Sequence, residues 1–173
     1  WAGSDILNLK KGFVMNDGKL LWLSKLLKGN WWVFPILKKA EHWVENTTEK
    51  EMLESLGIKV TGVCPSFLGD VNLDVKYEWS ERMNVYVSSG ANRQEEYGFG
   101  VVERIAGELP QITFHLYGAD WKTRHPHVKV YGRVPKEVMN SQIEKMQIGL
   151  RLNEFDGFSE ILAKAVLMGH YAI

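Results

Sequence analysis

The chain has a single cysteine, no surplus of either charge and no long apolar run, and each absence narrows what it can be. Cys64 stands alone among 173 residues, so no internal disulfide can form and a reducing compartment is expected. With no catalytic setting around it in the sequence, that thiol is expected to be a small buried hydrophobe. Lys+Arg and Asp+Glu both total 21, for a formal charge of zero. A nucleic-acid binder usually carries a basic excess to neutralise phosphates, so this balance argues against that class. No run approaches the roughly 18 apolar residues of a membrane span. The chain opens at Trp1 with neither an initiator Met nor a charged-then-apolar leader, so no signal peptide is visible and a piece of a larger protein is expected. Tyr97–Glu103, "YGFGVVE", fails the G-x-G-x-x-G dinucleotide pattern, and nothing resembles a P-loop lysine motif. There is no internal repeat and no low-complexity tract.

What is present is the balance of a folded protein, 45% hydrophobic and 24% charged. The length suits one domain, or one domain with part of another. The second half alternates strand and helix. "NVYVS" (84–88) is β-branched and aromatic, and runs into the glycine and asparagine of "SGANRQ", a tight βα turn. Phe99, Val102, Ala106 and Leu109 then recur at helical steps until Pro110 stops them. "ITFHLYG" (112–118) and "VKVYG" (128–132) read as strands. A helix follows with Pro135 in its first turn, and Val138, Ile143 and Met146 are expected to face inward. "IGLRL" (148–152) is a fourth strand, the next helix runs from about Ser159 to a left-handed stop at Gly169, and "YAI" opens a fifth strand. This order predicts an α/β fold, a Rossmann-like parallel sheet whose ligands bind beyond the carboxyl ends of the strands.

The first half differs. Trp1, Trp22, Trp31, Trp32 and Trp43 crowd into its opening stretch, a shift that hints at a domain boundary and at a core or interdomain role for these rings. "HWVENTTEKEMLESLGI" reads as a short strand, a capping box of Thr48 with Glu51, and a helix closed by Gly57. Lys59–Cys64 is another strand. The expected organisation is 1–65 as the end of one Rossmann-like domain, 66–82 as a linker and 83–173 as an incomplete second domain.

One constellation carries chemistry. Asp156-Gly157-Phe158-Ser159 follows a strand and opens a helix. The first N–H groups of a helix lack internal partners and sit at the positive end of its dipole, a setting that suits a phosphate or diphosphate. The plainer reading is that Asp156 or Ser159 only caps the helix. Arg93 follows the 84–88 strand at the same expected sheet edge, where it can hold a phosphate bidentately or pair with Glu95 or Glu96 on the surface. Other candidates lead nowhere: His125 and His127 lack further metal ligands, and His115 lies in a strand expected to be buried.

These segments resemble the nucleotide-sugar glycosyltransferases of GT-B fold, in particular the large retaining "group 1"-type family. "EFDGFSEILAKAVLMGHYAI" (154–173) is similar to that family's donor-binding segment, with Asp156 at its first acidic place and "AVLMG" at its closing Ala-to-Gly stretch. "VYVSSGANRQEEYGF" and "IAGELPQITFHLYG" resemble its first donor-domain strand, basic loop, helix and second strand, and "VKVYGRV" its base-lining strand. "HWVENTTEKEMLESLGI" and "VCPSF" look like the end of the acceptor-side domain, and "WAGSD" like a turn of it. Two positions depart. Lys164 replaces the second acidic residue, where it can pair with Glu160 on an exposed helix face for about 0.3 kcal/mol; Tyr97 replaces a phosphate-binding lysine. The resemblance implies a cytoplasmic hexosyltransferase that moves a sugar, with retention, from a nucleotide-diphosphate sugar to a carbohydrate or glycolipid acceptor. It implies no metal and no cofactor beyond that co-substrate, and puts any membrane association in regions outside this chain. It makes Asp156 catalytic and gives donor binding to Gly90, Arg93, Arg133, Val134, Gly157, Phe158, Ser159 and Lys164. A nucleotide-sugar epimerase and a non-catalytic GT-B-like scaffold are the alternatives.

Overall fold

The computed structural model describes residues 6, 34–66, 72, 74–90, 92–153 and 157–173. They divide into two compact units, one holding the described residues up to 66 with Gly157 and Phe158, the other holding those of 72–153 and 159–173.

In the first unit, helix α1 (Phe34–Leu37) precedes strand β1 (Trp43–Val44), helix α2 (Thr47–Ser55) and strand β2 (Gly62–Val63). The two strands pair in parallel, Trp43 with Gly62 and Val44 with Val63. Val44, Leu53, Ile58 and Val60 are buried together with Ile6. The cap of α2 is not the expected Thr48–Glu51 box. Asn46 is the N-cap and its side-chain oxygen accepts the Glu49 N–H at 2.8 Å, while Glu49 accepts the Glu45 N–H at 2.8 Å. The pattern N-x-x-E two residues upstream won because it also buries Glu49 against a donor. Cys64 is exposed, not buried. Its N–H still bonds Val44 O at 2.7 Å, but the residue lies past the end of β2 and no described element packs over it. Trp43 is 50% exposed, its ring lying over Gly62, and the other four early tryptophans fall outside the described residues.

The second unit is the expected parallel sheet. Its strands are β3 (Asn84–Ser88), β4 (Thr113–Tyr117), β5 (Val128–Gly132), β6 (Ile148–Gly149) and β7 (Tyr171–Ala172), in the order β5-β4-β3-β6-β7, every pair parallel. Side chains alternate across it with period two. Val85, Val87, Phe114, Leu116 and Val128 share a cluster with Phe99, Val102 and Ala106 of helix α3 (Phe99–Glu108). Tyr86 and Tyr117 share a second cluster with Ile143 of helix α4 (Lys136–Ile143), Met146, and Ile161 and Ala165 of helix α5 (Glu160–Leu167). Each fully buried Leu or Phe contributes roughly 1.5–3 kcal/mol.

Two details adjust the expectation for α4. Pro135 is its N-cap, not its first turn, and Val138 is 42% exposed. With the helix starting at Lys136, the inward stripe runs through Met139, Ile143 and Met146 and leaves Val138 on the outside. At the other end of the sheet α5 closes as expected. Gly169 takes φ +74°, its N–H bonds Val166 O at 3.1 Å and the His170 N–H bonds Ala165 O at 2.8 Å, the paired bonds of a Schellman stop. The α5–β6 contact is close: a Cβ on Gly149 would lie 2.8 Å from Ala165 Cβ and 3.0 Å from the Tyr86 hydroxyl.

Candidate donor-binding edge

The chain leaves β3 toward β4 and β5 on one side, then returns to place β6 and β7 on the other. The strand order therefore reverses between β3 and β6. In open α/β sheets this is where ligands bind.

The β3 loop is built by local bonds. The Arg93 N–H donates to Gly90 O at 3.3 Å and the Tyr97 N–H to Arg93 O at 3.1 Å, which winds 93–98 into turns before α3 starts. Gly98 caps α3 at φ +81°, a left-handed backbone that glycine adopts without strain. A Cβ there would lie 2.5 Å from Leu152 Cβ, so the β3 loop and the β6 loop are packed without a gap. Gly90 differs: among the described residues nothing lies within 4 Å of where its Cβ would be, which leaves its backbone open on that side to a ligand.

Arg93 stands on this loop. Its Nη2 lies 2.6 Å and its Nε 2.7 Å from Glu96 Oε2, with the side chain 47% exposed. Its Cζ is 5.3 Å from the centre of the Tyr97 ring. The same ring meets a second guanidinium, which sequence reasoning missed: Arg151, two residues past β6, has its Cζ 4.1 Å from the ring centre. The signal was there, since a lone cation in the apolar run "IGLRL" has to find a partner when the strand is buried.

Ser159 caps α5, its Oγ accepting the Leu162 N–H at 3.3 Å. Gly157 belongs to the first unit, where its carbonyl accepts from Asn46 Nδ2 at 2.6 Å, and Phe158 belongs there too. Asp156 lies outside the described residues. Arg133 is exposed just beyond β5, and Val134 packs into the cluster around Tyr117 and Tyr131. Lys164 does pair with Glu160, at 3.1 Å, but not on an exposed face: its side chain is 3% exposed and its Nζ donates to Asn140 Oδ1 at 2.8 Å, tying α5 to α4. Glu160 also meets Lys136 Nζ at 3.2 Å. Burial pushes the Glu160 carboxyl up, but the hydrogen bonds and charges of Lys164 and Lys136 together hold it below its ordinary value.

His115, His125 and His127 each have a partner inside the second unit. His115 sits on β4 between Tyr131 and Asn84, and His127 bonds Ala106 O at 2.9 Å. His125 lies 3.7 Å from Glu103. Among the described residues no group of three or more His, Cys, Asp or Glu could hold a metal ion, and no helix is long and apolar enough to cross a membrane.

The fold is similar to that of solved glycosyltransferases of GT-B type. It is similar to TarM, with a TM-score of 0.63 and 12% identity over 91% of this chain and 33% of that one. A variant of S. aureus TarM, in complex with fondaparinux, α-GlcNAc-glycerol and UDP, superposes at TM-score 0.59 and 11% identity over 91% of this chain and 33% of that one. The pneumococcal O-GlcNAc transferase GtfA, in complex with UDP and GlcNAc, gives 0.58 and 16% over 83% of this chain and 32% of that one. The chain thus spans about a third of the length of these structures. No protein-family model and no curated protein matches the sequence.

Proposed function

We propose that this chain is the donor-binding part, with the end of the acceptor-side part, of a glycosyltransferase that moves a sugar from a nucleotide-diphosphate sugar to an acceptor hydroxyl with retention. The supporting observation is the reversal of strand order between β3 and β6, with Arg93 on one flanking loop and the capped start of α5 after the other. Departure of the diphosphate limits such a transfer, because the anomeric carbon becomes cationic as the bond breaks. Preorganised positive charge on the leaving group is the main help a protein can give.

In this reading Arg93 and the N–H group of Ser159 receive the diphosphate, and Gly90 gives it room. Arg133 and Val134 contact the base. Asp156 holds sugar hydroxyls or stabilises the developing charge. Lys164 acts through α5, whose position its buried ammonium fixes. Residues 1–65 form the end of the acceptor-side domain, 66–82 the linker and 83–173 the donor domain. The acceptor is a carbohydrate or glycolipid, and the reaction is cytoplasmic. UDP is the first probe because the TarM variant and GtfA were both seen with it.

Calorimetric titration of UDP, GDP and their sugars tests the proposal. Arg93→Ala is expected to weaken nucleotide binding by ~1.5–3 kcal/mol, the range for hydrogen bonds to charged groups, with thermal stability nearly unchanged. Affinity equal to wild type would return Arg93 to a surface role. A second reading, a non-catalytic GT-B-like scaffold, draws on the Arg93–Glu96 ion pair. Absence of binding to every nucleotide and nucleotide sugar would support it; interconversion of the sugar without acceptor would indicate an epimerase.

A further inference from the structure

We infer that a hollow at the amino ends of β3, β4 and β5 binds an oxyanion of the phosphate class, held by Arg82 and Lys129 with His127 beside them. The three strands are parallel, so this is the sheet edge opposite the candidate donor edge, and the inference does not depend on the nucleotide-sugar reading. Arg82, Asn84, Thr113, His127 and Lys129 are among the residues lining a volume of about 360 Å³, at the small end of the range for ligand sites. No Asp or Glu lines it. The whole chain has as many acidic as basic side chains, 21 of each. Composition alone therefore does not account for a hollow lined by one sign of charge.

The cations are held in place by neutral groups. Thr113 is 5% exposed, and its Oγ1 accepts the Arg82 Nε–H at 2.9 Å, while Arg82 Nη2 donates to Pro110 O at 3.3 Å. These two oxygens fix the guanidinium without cancelling its charge, and a fixed group loses little freedom when a ligand arrives. They take two of its five N–H donors and leave three for the oxygens of an anion. His127 is anchored too: its Nε2 donates to Ala106 O at 2.9 Å, so Nδ1 is the ring atom left for a ligand. Among the described residues neither Arg82 nor Lys129 is in an ion pair. The Lys129 charge is felt inside the sheet, where it is the second cause, after burial, that lowers the pKa of His115. Two fixed positive charges beside one hollow suit a multiply charged oxyanion better than a single carboxylate.

The plain alternative is a set of hydrated surface cations with no ligand of their own. Amide NMR of the full chain separates the two, because it reports each edge of the sheet by itself. Wild type is titrated with inorganic phosphate and with glycerol 3-phosphate, against chloride at equal ionic strength. Saturable shifts are expected at Arg82, Thr113, His127 and Lys129. Arg82→Gln should lower the affinity about ten-fold or more, the loss of a charged hydrogen bond. That variant also gives up the bonds to Thr113 and Pro110, so Lys129→Gln is the cleaner one: it breaks no hydrogen bond and should weaken binding about three-fold or more. Co-sedimentation with phosphatidylcholine vesicles, with and without phosphatidic acid, distinguishes the sources of the phosphate. Retention by phosphatidic acid that Lys129→Gln abolishes assigns a lipid head group, and binding confined to the soluble probes assigns a free phosphorylated ligand; either supports the site. Shifts no larger than those in chloride, or wild-type affinity in both variants, would overturn the inference and leave the donor edge untouched.

Discussion

An arginine serves a carboxylate and a phosphate with the same fork of N–H groups, so Glu96 and a diphosphate compete for Arg93. The ion pair is short, 2.6 Å, but both side chains are largely in solvent, at 47% and 61% exposure. Exposed pairs of this kind contribute only about 0–1 kcal/mol, because water screens them and two long side chains lose freedom. The competition therefore favours a doubly charged ligand. Glu96→Gln is expected to tighten nucleoside diphosphate binding by up to about five-fold, the whole value of such a pair. The gain should shrink as salt is raised, since the lost competitor is screened along with the ligand. Looser binding in the variant at low salt would show that Glu96 orients Arg93 for the ligand, the opposite role.

At the scale of elements, two glycines of the β3 loop make a contrast that one substitution can expose. Gly98→Ala forces a Cβ to 2.5 Å from Leu152 and asks alanine to adopt φ +81°, so it should cost ~1–3 kcal/mol of stability. Gly90→Ala meets no described residue within 4 Å and should keep stability within about 0.5 kcal/mol. If a diphosphate does approach that backbone, the same methyl should weaken donor binding. Melting temperature and nucleotide affinity, measured on both variants, should move in opposite patterns; a Gly90→Ala protein with full affinity would take Gly90 out of the site. The elements themselves were largely legible. Period-two and helical spacings located every strand and helix from Asn84 onward to within a residue or two, apart from the shortened "IGLRL" strand, because local pattern and burial agree there. What stayed hidden depended on tertiary context. Val138 and Met139 are both apolar, and only the point at which α4 starts decides which faces inward. Cys64 looked buried by composition, yet no described element covers it. Lys164 read as a surface partner of Glu160, because Asn140, its second ligand, is 24 residues away in sequence. Arg151 was passed over as a strand residue, since nothing local announces the Tyr97 ring.

For the folded molecule as a whole, the buried histidines set an acid limit that can be argued with its sign. His115 is 5% exposed in the middle of β4, its Nε2 3.0 Å from Asn84 Oδ1 and its Nδ1 3.0 Å from the Tyr131 hydroxyl. Asn84 Oδ1 can only accept, so Nε2 carries the proton and the tyrosine hydroxyl donates to Nδ1: the neutral ring is fully satisfied. A second proton has no acceptor without turning the tyrosine. Burial first, and the nearby Lys129 charge second, push its pKa down from 6.5 to about 4. The folded value thus lies below the unfolded one. Above about pH 6.5 both states are neutral and pH has no effect through this group. Between 6.5 and 4 the unfolded chain takes up a proton that the native state refuses, so stability is lost as pH falls, by on the order of 3 kcal/mol once the native pKa is passed. His170 adds to the same trend, its pKa lowered by burial with a backbone contact to Glu144 opposing. Glu103 and Glu160, both held below their ordinary values, weaken the fold only at lower pH, below about 4.5. His115→Gln offers the same donor and acceptor without a titrating ring. Its melting temperature should fall less steeply than that of wild type between pH 7 and pH 4.5, leaving the part due to His170. Parallel slopes for the two proteins would mean that His115 takes its proton in the folded sheet as readily as in the open chain, and that the network around Tyr131 rearranges to accept it.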